Sequence, residues 1–438
     1  MQAIPRRPHV QGCAAALEVE ETSERLTDGA GLIPFRTAWD QLRLGRYLDA
    51  KMGGRGEYRA SLQVEQWVAL LLYGGTAMDH LPLLERRGVS ALFGWKSVVD
   101  PTTFGRFLRR EGEKNAKVVD DLLLRVVRAR WDAAGGVPGT VMLMFDGTVV
   151  QRYGRKQAGA VNGYNPRKKG RPSHHPLLAF LDTGDCLGVR WRPGNANSAT
   201  GFEEWAEELV AWLRAQGVRR ILVRLDKGFF SVAIIEKLLS LGVDFVLKMQ
   251  ESNVLQQYKG PFTPSAEAPG LEVAEGRRWG VRMLSVRQCE KAPDGELELG
   301  HVVLKHQLTI LSNLESVDPL TAWRMYNQGA QVEHRIEEMG QLGAGRTAVD
   351  DIGGNHLLWS LAALAYQMQH LVRTAVLDRK HAREQVKTLR ALVIRTPGKL
   401  VRHARRLTLK LTKDEPLLGM LARAAERVRW FRPVPLLV

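Results

Sequence analysis

Apolar residues fall into two patterns, separated by a break at Gly135-Gly136-Val137-Pro138-Gly139. From Leu32 to about Asp132 they recur at three- and four-residue spacing, the period of helices with one buried face. Residues 61–72 form one such stretch, with Ser61 placed to cap it. Another begins at Asp100-Pro101, a capping residue followed by proline in the first turn. After the break, short β-prone runs dominate. Val141-Met142-Leu143-Met144-Phe145 leads without polar interruption into Asp146-Gly147 and reads as a buried strand ending in a carboxylate. Strands at 177–181 and 187–191 flank Asp182-Thr183-Gly184-Asp185, a hairpin turn. A helix over 202–216 stops at Gly217. Residues 220–226 repeat the strand-then-carboxylate pattern, Ser231 caps a helix that stops at Gly242, and 243–248 is a further strand. This alternation predicts an α/β fold, a sheet flanked by helices.

Residues 251–300 switch to short strands punctuated by Gly and Pro, a β-rich insertion rather than a separate domain, and 301–314 return to the sheet. Asp318-Pro319 opens a long helix reaching about Met339, with Gly340 just past it. Met325, Val332, Ile336 and Met339 form its apolar stripe. Glu333 borders that stripe, on the same face as Tyr326. The last hundred residues read as helical, and 357–371 are apolar enough to need a core. Four regions result: an N-terminal segment (1–30), a helical DNA-binding region (31–135), a catalytic core (136–345, with the insertion at about 251–300) and a helical basic C-terminal region (346–438).

Charge narrows the partner. The 438 residues carry a net +16, an excess that suits a polyanion, of which nucleic acid is the commonest. Three cysteines lie far apart, without zinc-ligand spacing, which fits a reducing cytosol. No apolar segment follows the N-terminal basic residues as a signal peptide would. The most apolar long window is broken by Gln367, Gln369 and His370 and falls short of a membrane span. The expectation is a soluble, cytoplasmic, nucleoid-associated protein with no membrane partner.

Basic residues cluster in three places. Arg106, Arg109 and Arg110 lie near one another on a helix surface, as in a helix-turn-helix-like DNA contact, or on the solvated face of a bundle. The loop 151–171 holds Arg152, Arg155, Lys156, Arg167, Lys168, Lys169 and Arg171 with no acidic residue, interleaved with Tyr153 and Tyr164. Cations alternating with aromatics can follow a phosphate backbone and stack on bases. Residues 373–410 carry twelve Lys/Arg against two acidic residues, a further surface for DNA.

Asp146 and Asp226 end two buried strands, and Glu333 lies on a helix able to pack against them. Each alone could be a turn or surface residue. Together, three carboxylates converging on one point repel unless cations neutralise them. Their hard oxygen donors suit Mg²⁺ or Mn²⁺, and a pair of such ions about 4 Å apart serves phosphoryl transfer. A basic protein with such a site would cut or join phosphodiesters.

Several blocks then carry a family resemblance: Phe145-Asp146-Gly147-Thr148-Val149-Val150; Gly163-Tyr164-Asn165-Pro166 leading into Gly170-Arg171-Pro172-Ser173-His174-His175-Pro176-Leu177; Asp226-Lys227-Gly228-Phe229-Phe230; and Tyr326-Asn327-Gln328 with Glu333-His334-Arg335-Ile336-Glu337-Glu338. In these the chain resembles the DDE transposases of bacterial insertion sequences, specifically the IS1380 family of the IS4-like group. The resemblance implies an RNase H-like core with a β-rich insertion before the last catalytic helix, and Asp146, Asp226 and Glu333 as a metal-binding triad. It implies cleavage at insertion-sequence ends and strand transfer into target DNA. The partner is double-stranded DNA, as terminal inverted repeats and target, engaged by a homodimer. Tyr326 keeps its family spacing to Glu333, but Gly329 stands in place of an Arg, Gly340 in place of a Lys, and Lys227 in place of a small residue. Arg335 is the candidate substitute for the missing phosphate contacts. These departures favour one alternative, a decayed or repurposed transposase acting only as a DNA-binding protein, which the intact triad opposes. Relatives pass through a DNA hairpin with an aromatic holding a flipped base, for which Trp279 is a candidate against a plain core role. Adjacent His174 and His175 on a strand face opposite sides and cannot share a metal, which disfavours a His-pair nuclease. No GxxxxGK[ST] occurs for an NTPase.

Overall fold

The computed structural model describes residues 21–435, apart from 54–57, 153–156, 164, 166, 167, 251–260, 292–301, 329, 405 and 414. A short strand, β1 (Arg25–Thr27), leads into helices α1 (Ile33–Gln41), α2 (Leu44–Met52), α3 (Ala60–Tyr73), α4 (Leu83–Arg86), α5 (Val89–Phe93) and α6 (Pro101–Ala133). Asp100 caps α6 as its sequence predicts, accepting from the Thr102 N–H. Ser61 does not cap α3. The helix starts one residue before it, at an Arg59 cap without a side-chain bond, and Ser61 is buried in the first turn.

The sheet follows as the apolar runs predict: β2 (Thr140–Gly147), β3 (Val150–Gln151), β4 (Ser173–His174), β5 (Leu177–Leu181), β6 (Cys186–Arg190), α7 (Phe202–Gln216), β7 (Arg220–Leu225), α8 (Val232–Ser240) and β8 (Asp244–Lys248). Then come β9 (Thr263–Pro264), β10 (Leu271–Arg278), β11 (Val281–Lys291) and β12 (Val302–Ser312). The central sheet runs β6-β5-β2-β7-β8-β12-β11-β10-β9. β5 is antiparallel to both of its neighbours, β6 and β2, while β7 and β8 run parallel to β2. The strands of the insertion extend this sheet rather than forming a body of their own, because β12 pairs with β8 at one end and with β11 along its length. Buried Ser285 and Thr309 face each other there and share a hydroxyl hydrogen bond of 2.7 Å. α7 covers β2, with Phe145 edge-on to Phe202 and Trp205.

The long helix expected over 318–339 is two helices, α9 (Pro319–Asn327) and α10 (Ala330–Gln341). Next is α11 (Ile352–Leu371), buried on all sides against α3, α6 and β6, as a helix apolar all round must be. The C-terminal region is not wholly helical. After α12 (Val386–Leu389) the chain forms a hairpin, β13 (Gly398–His403) and β14 (Arg406–Lys410), before α13 (Leu417–Val428). Leu400 opposite Leu409 and the alternation Arg406-Leu407-Thr408-Leu409-Lys410 carry period two, which the density of basic charge obscures. β1 pairs with β13, completing a small sheet.

The helical N-terminal region packs against a helix from beyond the sheet. α6 is 33 residues long and packs along α11. A Cβ on Gly112 would lie 2.4 Å from the backbone of Gly353 and Gly354, so the helices meet at three glycines. Helix propensity alone would make Gly112→Ala stabilising by about 1 kcal/mol. Overpacking against backbone should reverse that sign, destabilising by about 1–3 kcal/mol, which urea unfolding would register. Beside this crossing, Asp185 of the β5–β6 turn is fully buried. It accepts from Arg130 and Trp131 of α6, from Thr183 and from Gln367 of α11, tying three elements at one carboxylate. Burial alone would raise this carboxyl, but the Arg130 guanidinium overrides it and holds it below its ordinary value.

Candidate active site

β2 and β7 run parallel with Met144 level with Arg224; Asp146 follows two residues later near the end of β2, and Asp226 follows immediately after the end of β7. Each carboxylate is held by the turn that follows. Asp146 accepts from the Gly147 N–H at 2.8 Å, and Asp226 caps the turn Lys227–Phe229 by accepting from the Gly228 N–H at 3.0 Å. Both are half-buried. The Asp146 carboxyl is pushed up to about 7 by burial and by the charges of Asp226 and Glu333, against the opposing pull of the Gly147 N–H and Arg224.

Arg224 and Tyr326 complete the cluster. Arg224 lies two residues before Asp226, hence on the same strand face, and is buried. Its guanidinium lies 4.3 Å from the centre of the Tyr326 ring, and its Nε donates to the Tyr326 carbonyl at 3.3 Å. Burial raises the Tyr326 hydroxyl, opposed by Arg224 and reinforced by Asp226, Asp146 and Glu333. Arg224 was not among the sequence candidates. Its signal was available: a cation among the apolar residues of a strand, two places before a carboxylate.

Glu333 sits in the first turn of α10 and is exposed. Among the described residues no three acidic, histidine or cysteine groups stand close enough to hold one metal ion. Arg335 departs from expectation more sharply. It is buried, donating to the carbonyls of Leu181 and Asp182 and to Gln331, so it docks α10 on the β5–β6 turn instead of facing phosphate. Two residues on a helix point to nearly opposite sides, so an exposed Glu333 directs Arg335 inward. At Gly340 a Cβ would meet nothing, so the family's lysine would stand in open space there.

The other expected DNA contacts divide by position. Arg106 and Arg110 are exposed on α6, and Arg109 pairs with Asp350 at 2.8 Å. The Asp350 carbonyl accepts from the Ala158 N–H, so α6 and the basic loop, distant in sequence, meet at this residue. Lys168, Lys169 and Arg171 are exposed. Arg152 turns inward, and its charge adds to burial in pushing His174 down to about 4. Tyr153, Arg155, Lys156, Tyr164 and Arg167 lie outside the described residues. His174 packs on Trp191 while His175 binds the Ala196 carbonyl through Nδ1, so the two rings diverge. Trp279 is partly buried and packs against the edge of the core. It occupies the β10–β11 turn at φ 49°, half-buried, with its ring 5.6 Å from that of Phe230, four residues after Asp226. A bulky side chain at positive φ is strained.

Comparison with known proteins gives a family over nearly the whole chain: transposase DDE domain group 1 matches residues 13–433. No curated protein sequence matches. Among solved structures, the chain is similar to a piggyBac transposase synaptic complex with hairpin DNA, at 14% identity and a TM-score of 0.43, over 84% of this chain and 79% of that one. No helix among the described residues is long and apolar enough to cross a membrane.

Proposed function

The chain belongs to the transposase DDE domain group 1 family, and from that premise we propose that Asp146, Asp226 and Glu333 are the three carboxylates of its active site. It is a DDE-type DNA transposase, catalysing DNA strand cleavage and strand transfer. One observation carries the site assignment. β2 and β7 are parallel neighbours with Asp146 near the end of one and Asp226 just past the end of the other, and burial, Asp226 and Glu333 raise the Asp146 carboxyl. The order β6-β5-β2-β7-β8, three antiparallel strands followed by two parallel to the central one, supports an RNase H-like core. The motif blocks support membership in the IS1380 group of bacterial insertion sequences, acting near the nucleoid as a homodimer on terminal repeats and target.

The donor set fits a hard divalent cation. All three groups are carboxylates, and Asp146 carries surplus negative charge beside it that Arg224 only partly offsets. Asp146, Asp226 and Glu333 would hold Mg²⁺ or Mn²⁺, in a pair, which when bound supplies Lewis-acid polarisation of a phosphodiester. The chain's own residues do the positioning. The two strand ends fix the aspartates, Arg335 docks the helix of Glu333, and Arg224 holds Tyr326 at the margin, where its hydroxyl can donate to a phosphate oxygen. Water cleaves a P–O3′ bond at the element end, releasing a 3′-hydroxyl. That hydroxyl then attacks a target phosphodiester in line, one P–O bond forming as another breaks. Trp279, whose ring packs near Phe230 just after the Asp226 turn, would stack on a base drawn from the duplex.

The test is cleavage of DNA carrying the element's own terminal repeats with Mg²⁺ or Mn²⁺. Wild type should cut at the repeat ends, and Asp146→Ala, Asp226→Ala and Glu333→Ala should each remove the cuts. Cleavage surviving in any one of them takes that residue out of the triad.

A further inference from the structure

The C-terminal hairpin β13–β14 is built in a way that a free-standing element would not favour. Alternate residues of a strand share a face. Lys399, Val401 and His403 therefore lie on one face with their register partners Lys410, Thr408 and Arg406. The opposite face meets the protein through buried Leu400 and half-buried Leu409, while Arg402 and Leu407 beyond them are exposed. The outward face thus holds three Lys/Arg and a histidine, with no acidic residue on either strand. Lys399 stands directly opposite Lys410, a like-charge pair that weakens a sheet by itself. Glu24 answers Lys399 alone. Arg406 and Lys410 are exposed and have no ion-pair partner among the described residues. β14 is also the last strand of its sheet, β1-β13-β14, with one edge open.

We propose that the outward face of β13–β14 is a docking surface for the phosphate backbone of duplex DNA, contacted without regard to sequence and apart from the carboxylate site. Charge complementarity selects the occupant: an array of cations with its own repulsion unrelieved is stabilised by a polyanion. An anionic lipid surface fits less well, because the face offers few apolar side chains for insertion. The proposal rests on the reading of this chain as a transposase, since it supplies a further grip on that enzyme's DNA.

The experiment measures binding of the full chain to a duplex of mixed sequence and to one carrying the terminal repeat, from low to moderate salt. The variant is Arg406→Thr with Lys410→Thr, which removes charge while keeping residues suited to a strand. Each phosphate contact contributes about −0.9 to the slope of log K against log salt, so the double variant should lose about 2 from the slope, equally on both duplexes. Arg406→Lys with Lys410→Arg keeps the charges and should keep the wild-type slope, which separates a charge effect from a folding defect. An unchanged slope in the threonine variant overturns the proposal, as does a loss confined to phosphatidylglycerol vesicles. Failure of the wild type to bind either duplex would instead overturn the reading of the chain as a transposase.

Discussion

Asp226→Asn is expected to abolish strand cleavage, by a factor on the order of 10³ or more, while leaving DNA binding and fold intact. The substitution is close to isosteric, and asparagine caps a turn as well as aspartate does, so the bond to the Gly228 N–H survives. What disappears is one negative charge beside Asp146. The Asp146 carboxyl, now raised by burial together with Asp226 and Glu333, would fall toward its ordinary range. Affinity for Mn²⁺ should fall with it, because the attraction for a dication comes from that surplus. Gel assays of cleavage, anisotropy of a labelled duplex and calorimetric titration of Mn²⁺ read the three effects separately. Wild-type cleavage in the asparagine variant would remove Asp226 from the site, whereas a parallel loss of DNA binding would point to a collapsed loop.

The largest effect on stability is expected at Asp185. It is wholly buried and accepts from Arg130, Trp131, Thr183 and Gln367. Asp185→Ala leaves a buried guanidinium without its counter-ion, and breaking such a pair costs about 3–5 kcal/mol. Removing both partners is a different matter. In Asp185→Leu with Arg130→Met no charge remains unpaired, and much of the loss should be recovered. Chemical denaturation of the single and double variants measures the difference. A double variant as unstable as the alanine variant would show that the remaining donors, rather than the ion pair, need the carboxylate.

Where a signal is local, sequence and structure coincide. Gly217 ends α7 in a left-handed conformation, and Ser231 caps α8 by accepting from the Ile234 N–H. Gly184 makes the β5–β6 turn at positive φ, and the two apolar runs ending in Asp146 and Asp226 are strands. Each is decided within a few residues by a cap, a φ value or a period. Arg224 and Arg335 are different. A charged side chain reads as surface until its acceptors are known, and theirs lie about 100 and 150 residues away. The C-terminal hairpin was hidden for a related reason: its period of two spans few residues, and its basic charge matches that of an exposed helix. That the helical layer packs on α11 is not legible locally, because α11 comes after the whole sheet.

That last placement has a consequence in time. The apolar faces of α3 and α6 are covered by α11, so the first third of the chain cannot complete its core until α11 has been made. About 240 residues separate the end of α6 from the end of α11, and at ~5–20 residues per second this is roughly 12–48 s of synthesis. During that interval the nascent helices present uncovered apolar surface, and a chain interrupted before residue 371 keeps it. Premature termination should therefore yield insoluble or degraded fragments rather than a free DNA-binding domain.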